Sequence, residues 1–212
     1  LMMALGGVSA ASAGDGLNVS GTDLAFQKQR AVVGNYNGFA IYDISEAGAP
    51  EVVAQVNCPG SQNDISVRGD LVYLSTDSSR NDDSCNSTGQ SANVKSSWEG
   101  IKIFDISDET NPKYIKSVET KCGSHTHTLI PEPTKRSVYI YNSSYFPDAT
   151  YPDCLPPNDR IDIIKVPLRD PAKAAVVASP VLFPDGGFPG SETGYATSGC
   201  HDITAFPARK IA

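Results

Sequence analysis

Three histidines and their acidic neighbours carry most of the chemistry this chain offers. His125 and His127 fall in Ser124-His125-Thr126-His127-Thr128, and His201 falls in Cys200-His201-Asp202-Ile203-Thr204. Neutral imidazole beside carboxylate is a ligand set for a divalent transition metal, and the same groups move protons near neutral pH. His125, His127, His201, Asp64 and Asp202 are therefore the candidate metal-binding or acid/base residues. Asp82-Asp83, in an Asn/Ser-rich stretch, is a weaker candidate for Ca2+, since its spacing matches no EF-hand. Trp98 and Glu99 offer an aromatic ring and a carboxylate to a ligand, with Asn63 as a third binding candidate; for the tryptophan, packing is the commoner role. There is no G-x-S-x-G elbow, no G-x-x-x-x-G-K-[ST] loop and no G-x-G-x-x-G after a strand, so hydrolase, phosphoryl-transfer and nicotinamide chemistry lack support.

The elements that would position these residues are strands. The segment from Gly38 to Ser45 (GFAIYDIS) recurs from Gly100 to Ser107 (GIKIFDIS), each followed by a polar turn ending in proline, Pro50 or Pro112. A degenerate third copy starts at Arg160, and the step from Asp43 to Asp105 sets the period. A second element keeps phase with the first: Asp23-Leu24-Ala25, Asp64-Ile65-Ser66, His127-Thr128-Leu129 and Asp202-Ile203-Thr204 each open a short apolar run. Gly, Pro, Asn and Asp separate runs that alternate at period two, and no window sustains a helical apolar period.

Each full unit thus reads as four short strands, and repeating four-stranded antiparallel units are what a β-propeller requires. The predicted fold is an all-β propeller of about three blades, near 22–58, 63–122 and 126–183, plus the first strand of a fourth at 201–212. Closed propellers have roughly four to eight blades, so the expectation is a fragment of a larger propeller. In this alignment Thr22-Asp23, Asn63-Asp64, Thr126-His127 and His201-Asp202 occupy the starts of the innermost strands, where imidazoles and carboxylates converge at one mouth of the channel. The alternative for these side chains is structural: hydrogen bonds to the neighbouring blade's backbone that fix docking. Two insertions, 77–99 and 146–159, lie between the second and third strands of the second and third units. They are read as binding loops on one face, or as disulfide-pinned excursions.

The Ile-(Tyr/Phe)-Asp-Ile-Ser pattern at 41–45 and 103–107, with its downstream proline, resembles the LVIVD repeat of bacterial extracytoplasmic β-propeller proteins. Ser124 to Thr128 together with Cys200 to Thr204 is similar to a secreted, largely uncharacterised branch of that family. The resemblance covers about residues 20–212; it implies further blades after Ala212 and no established activity. Fold-level analogy with methanethiol oxidase and selenium-binding propellers, which carry metal-binding histidines, adds modestly to the metal reading.

Compartment and partners follow from composition. Cys58, Cys85, Cys122, Cys154 and Cys200 form no C-x-x-C pair and no Cys/His cluster, which favours disulfides over zinc. Cys58 with Cys85 and Cys122 with Cys154 are the expected bridges, other pairings staying open, and Cys200 is the odd cysteine, its partner expected outside this chain. Residues 1–20 read as a signal remnant or a linker, because the apolar start ends in Ala11-Ser12-Ala13 but lacks a basic segment. Three sequons, at Asn18, Asn86 and Asn142, carry little weight. The net charge of -7, from 17 Lys plus Arg against 24 Asp plus Glu, opposes a nucleic-acid footprint. No stretch approaches the ~18 apolar residues of a membrane span. The leading expectation is a secreted or otherwise extracytoplasmic binding module that presents its two loops to a protein or glycan. Its rival is a metal-dependent oxidoreductase with the ion in the channel, held by His127, His201 and groups from further blades.

Overall fold

The computed structural model describes residues 20–144, 150, 152–154, 160–182, 200–209 and 211–212. The apolar start with Ala11-Ser12-Ala13 and Asn18, much of the 146–159 insertion, and Phe183 at the end of the third unit lie outside the described residues.

Among the described residues, twelve strands form three four-stranded antiparallel sheets, each in simple meander order. The first holds β1 (Gly21–Gln27), β2 (Arg30–Asn35), β3 (Gly38–Asp43) and β4 (Glu51–Asn57). The second holds β5 (Ile65–Arg68), β6 (Leu71–Arg80), β7 (Trp98–Asp105) and β8 (Lys113–Glu119). The third holds β9 (Thr126–Pro131), β10 (Ser137–Ser143), β11 (Asp162–Pro167) and β12 (Ala175–Ala178). Among the described residues, helix is confined to two short 3-10 turns, Pro171–Lys173 and Pro207–Arg209. The chain is all-β, and its sheets are arranged as propeller blades, with the first strands β1, β5 and β9 side by side.

The repeated motif has a local cause at each of its recurring positions. Gly38 sits at φ +136°, where a Cβ would lie 2.1 Å from the Val56 carbonyl oxygen; at Gly100 the same distance, to Val118 O, is again 2.1 Å. The strand ends when Asp43 Oδ1 accepts the Ser45 N–H at 2.7 Å, as Asp105 Oδ1 accepts that of Ser107 at 2.8 Å. These Asx turns account for Asp-x-Ser. The isoleucine between them ties back to the preceding hairpin: Ile44 N–H to Gln29 O, and Ile106 N–H to Asp70 O.

Apolar side chains from facing sheets fill the two gaps between blades. Val32, Phe39 and Ile41 meet Ile65, Val72, Leu74 and Phe104 in the first, where the Phe39 and Phe104 rings stand edge to face at 5.0 Å. Tyr73, Ile101 and Ile103 meet Val138, Ile140 and Ile164 in the second. Because both faces of the middle sheet are covered, β7 is buried almost throughout, Lys102 included.

Two boundaries differ from the sequence reading. The first insertion is shorter than 77–99, since β6 continues to Arg80 and β7 begins at Trp98; a register shift between Thr76 and Arg80 keeps the two paired and leaves 81–97 as the loop. Among the described residues from 201 onward there is no paired strand. His201 O accepts from Thr126 Oγ1 and from Ser143 Oγ (2.6 Å), and Ile203 O accepts from Thr128 Oγ1 at 2.5 Å, so side-chain hydroxyls hold this segment beside β9. Phe206 and Ile211 form only an isolated bridge.

Candidate functional site

The polar residues at the starts of the inner strands first serve to dock one blade on the next. Asp23 Oδ2 accepts the Ile65 N–H at 3.1 Å, and Asp64 Oδ2 accepts the His127 N–H at 2.7 Å. This repeated bond aligns Asp23 with Asp64, and His127 with Ile65. It corrects the sequence alignment, which paired His127 with the aspartates, by one residue, and a one-residue shift sends a strand side chain to the opposite face. Burial, and then the neighbouring Asp64, push the Asp23 carboxyl up. At Asp64 burial acts in the same direction, but the His127 imidazole and N–H and the Asp23 hydrogen bond outweigh it and hold the carboxyl below its usual range. Asn63 is fully buried, with its Nδ2 donating to Asn35 O at 2.8 Å; it latches the first two blades and meets no solvent.

The five candidate metal residues separate into two groups. His127 is inside, its side chain fully buried, with Nδ1 at 2.8 Å from Ser75 Oγ and 3.0 Å from Asp64 Oδ2. Ser75 Oγ in turn accepts from Ser124 Oγ at 3.0 Å. Ser75, His127 and Asp64 resemble a nucleophile triad in composition only, because serine and aspartate share one ring nitrogen, whereas a triad needs them on opposite nitrogens. His127 Nε2 is buried with no hydrogen-bond partner among the described residues. The second group lies nearer solvent. His125 and His201 approach through Nε2 and Nε2 at 3.2 Å, with ring planes 70° apart. Behind them, Asp77 Oδ1 lies 3.0 Å from His125 Nδ1, and Asp202 Oδ2 lies 2.6 Å from His201 Nδ1. Burial raises the Asp77 carboxyl despite the pull of His125 and His201. Among the described residues, no group of three or more His, Cys, Asp or Glu side chains is placed to hold a metal ion. Asp77 was missed from the sequence, where it reads as the first residue of a loop.

Glu99 and Trp98 open β7. The Glu99 carboxylate accepts from Ser79 Oγ and lies where a Cβ on Gly123 would be, so it packs against the turn that leads to His125. Burial raises its carboxyl, and nearby Asp77 adds to the rise. Trp98 is only 8 % exposed and lies beneath the Lys102 ammonium, 5.1 Å from the ring centroid. It is a packing residue here, not a ring presented to a ligand. Lys102 Nζ donates to Ser84 O at 3.0 Å and lies 3.6 Å from Cys58 Sγ, which places a buried ammonium under the 81–97 loop. Burial, and then Arg80, lower its pKa to about 8 against the opposing Asp83 and Asp82. Asp82 and Asp83 are exposed and fix that loop: Asp82 Oδ1 accepts the Ser84 N–H, Asp83 Oδ2 accepts from Ser117 Oγ, and the Asp83 backbone carbonyl accepts from Tyr114 OH.

Both expected disulfides form, Cys58 with Cys85 and Cys122 with Cys154, while Cys200 is a half-buried thiol. They pin two loops that meet. Lys95 pairs with Asp153, and Thr150 Oγ1 donates to Asn93 Oδ1 at 3.0 Å. Below this junction a cleft of about 540 Å3 is lined by Lys95, Glu119, Lys121, Asp153, Asp162 and Val176, with two hydroxyl residues.

A family model, the LVIVD repeat, matches residues 90–120. The chain carries an LVIVD repeat. The match takes in the end of the 81–97 loop, β7 and β8, and so contains the Gly100 to Ser107 copy of the motif; the Gly38 to Ser45 copy, with the same Asx turn, lies outside it. No curated protein matches the chain. Among solved structures it is similar to a phage phi92 endosialidase at 11% identity and a TM-score of 0.41, over 76% of this chain and 26% of that one. The chain therefore spans about a quarter of the length of that protein. Lys102, which lies inside the matched segment, was not singled out in the sequence; its one signal was a charge between Ile101 and Ile103 in an otherwise apolar run.

Proposed function

We propose that this LVIVD-repeat chain is an extracytoplasmic binding module whose two disulfide-pinned loops form one surface for a polar partner, a protein or a glycan. The observation that carries the reading is the junction of the loops, Lys95 with Asp153 and Asn93 with Thr150, above a cleft lined by charges and hydroxyls. A cleft with Val176 as the one aliphatic residue of its described lining suits a hydrogen-bonding ligand better than an apolar one. Crosslinks hold the loops and lower the entropy lost when they engage a partner. Two disulfides support an oxidising compartment. Among the described residues no helix is long and apolar enough to cross a membrane, and the charge of -7 argues against nucleic acid.

The test is a glycan and peptide array probed with the protein and with a Lys95→Ala/Asp153→Ala variant. The expected result is a defined set of polar ligands whose signals fall at least tenfold in the variant. Absence of any signal, or signals that the variant keeps, would contradict the reading. The imidazole pair bears on the rival oxidoreductase reading only as far as a bound ion; it identifies neither oxidant nor substrate.

A further inference from the structure

Two imidazoles that belong to different parts of the chain meet at one point beside the inner strands. The His125 backbone is fixed by its N–H to Ser143 O (2.9 Å), and the His201 backbone by hydroxyl donors to its carbonyl, so neither ring depends on a mobile stem for its position. Each Nδ1 faces a carboxylate, Asp77 for His125 and Asp202 for His201. At His201 the 2.6 Å contact favours the tautomer with its proton on Nδ1 and the Nε2 lone pair outward, as in the carboxylate-histidine-metal relays of zinc sites, and Asp77 places the same negative charge 3.0 Å from His125 Nδ1. Here the two Nε2 atoms face each other at 3.2 Å. Two ring nitrogens at that distance are held by a cation between them, either a ring proton shared as a hydrogen bond or a metal ion.

A metal ion satisfies the geometry. Nitrogens held at about 2.0–2.1 Å from one tetrahedral ion stand about 3.3–3.4 Å apart, and at the right angle of an octahedral ion about 2.8–3.0 Å. The observed separation falls between the two. Nitrogen donors select a borderline first-row ion over Ca2+, which takes oxygen ligands. We propose that His125 and His201 bind one divalent first-row transition ion of the Zn2+ type through their Nε2 atoms, with Asp77 and Asp202 as positioning residues. The described residues contribute these two ligands and no larger cluster. His127, a candidate ligand on sequence, is excluded by its burial against Ser75 and Asp64. The proposal stands independently of the loop surface.

The experiment is calorimetric titration of the chelator-treated protein with Zn2+ alone, followed by zinc-edge X-ray absorption on the loaded wild type. One saturable Zn2+ per chain and two imidazole nitrogens at about 2.0–2.1 Å are the expected results. His125→Ala and His201→Ala should each weaken binding at least tenfold, and Asp77→Asn roughly tenfold to a hundredfold. A wild type without a saturable site, a His125→Ala/His201→Ala variant that keeps its affinity, or a spectrum with fewer than two imidazoles would overturn the proposal. If the variants fail to fold, the ligand count on the unaltered protein decides.

Discussion

Lys102→Met is the substitution whose outcome follows most closely from the packing. The Lys102 ammonium is buried between Trp98, Ser84 O and the Cys58–Cys85 bridge, and its pKa falls from 10.5 to about 8. One pKa unit corresponds to about 1.36 kcal/mol. Keeping the ammonium charged inside the fold therefore costs about 3 kcal/mol. The sign follows from linkage: with the folded pKa below the unfolded one, the unfolded chain binds more protons between pH 8 and 10.5, so stability rises with pH across that window. Below pH 8 the cost is present in full. Urea unfolding of the wild type should therefore show about 2 kcal/mol recovered between pH 7 and 9.5. Methionine keeps most of the volume and removes the charge, while forfeiting about 1 kcal/mol for the Ser84 hydrogen bond; the cation–π contact belongs to the charged form and is already contained in the pKa shift. The variant should be about 2 kcal/mol more stable than wild type at pH 7, and the difference between the two proteins should shrink to a few tenths of a kcal/mol by pH 9.5. Parallel pH curves for the two proteins would refute the reasoning, since they would mean that the ammonium is not desolvated in the fold.

Other consequences can be checked by the same unfolding assays. Replacing Cys58 and Cys85 by serine, which opens a loop of sequence separation 27, should cost about 3 to 4 kcal/mol in a domain of ordinary stability; an unchanged midpoint would contradict the crosslink's role. At Gly38 a new Cβ would meet Val56 O at 2.1 Å. Gly38→Ala should therefore cost about 2 kcal/mol. Gly69 also has a positive φ, but nothing lies near its Cβ position. Gly69→Asn should cost only about 1 kcal/mol, and equal losses at the two glycines would contradict the close approach at Gly38. Asp64→Asn should lose about 1 to 3 kcal/mol at neutral pH, by weakening the bond to the His127 N–H. Since the Asp64 carboxyl is held below its normal value of 3.8, its contribution is present above that pH and lost as pH falls through the folded value, so an acid titration should fall less steeply in the variant.

The fold was legible because its cause is local and repeated. Gly38 and Gly100 permit a close backbone approach, Asp43 and Asp105 end a strand through an Asx turn, and the same letters therefore recur a blade apart. The disulfides were legible from cysteines placed in polar loops. The histidine site was legible only in composition. Asn63-Asp64 and Thr126-His127 align equally well in two frames one residue apart, and only the bonds from Asp23 and Asp64 to the next blade's backbone choose between them. That choice moves His127 into the interior and leaves His125 to meet His201. Asp77 and Lys102 depend on burial created by distant sheets. Alternation around Ile101 and Ile103 would send Lys102 to an outer face, but a blade covered on both sides has no such face.

The claim that the two pinned loops form one binding surface is tested most directly by amide hydrogen exchange of the protein with and without the strongest ligand from the array. The account predicts slowed exchange confined to the 81–97 loop, the Glu119 to Cys122 turn and Asp153-Cys154. Protection centred elsewhere, on the histidine pair at 124–127 and 201–203 or on the outer strands, with the loops unchanged, would contradict it.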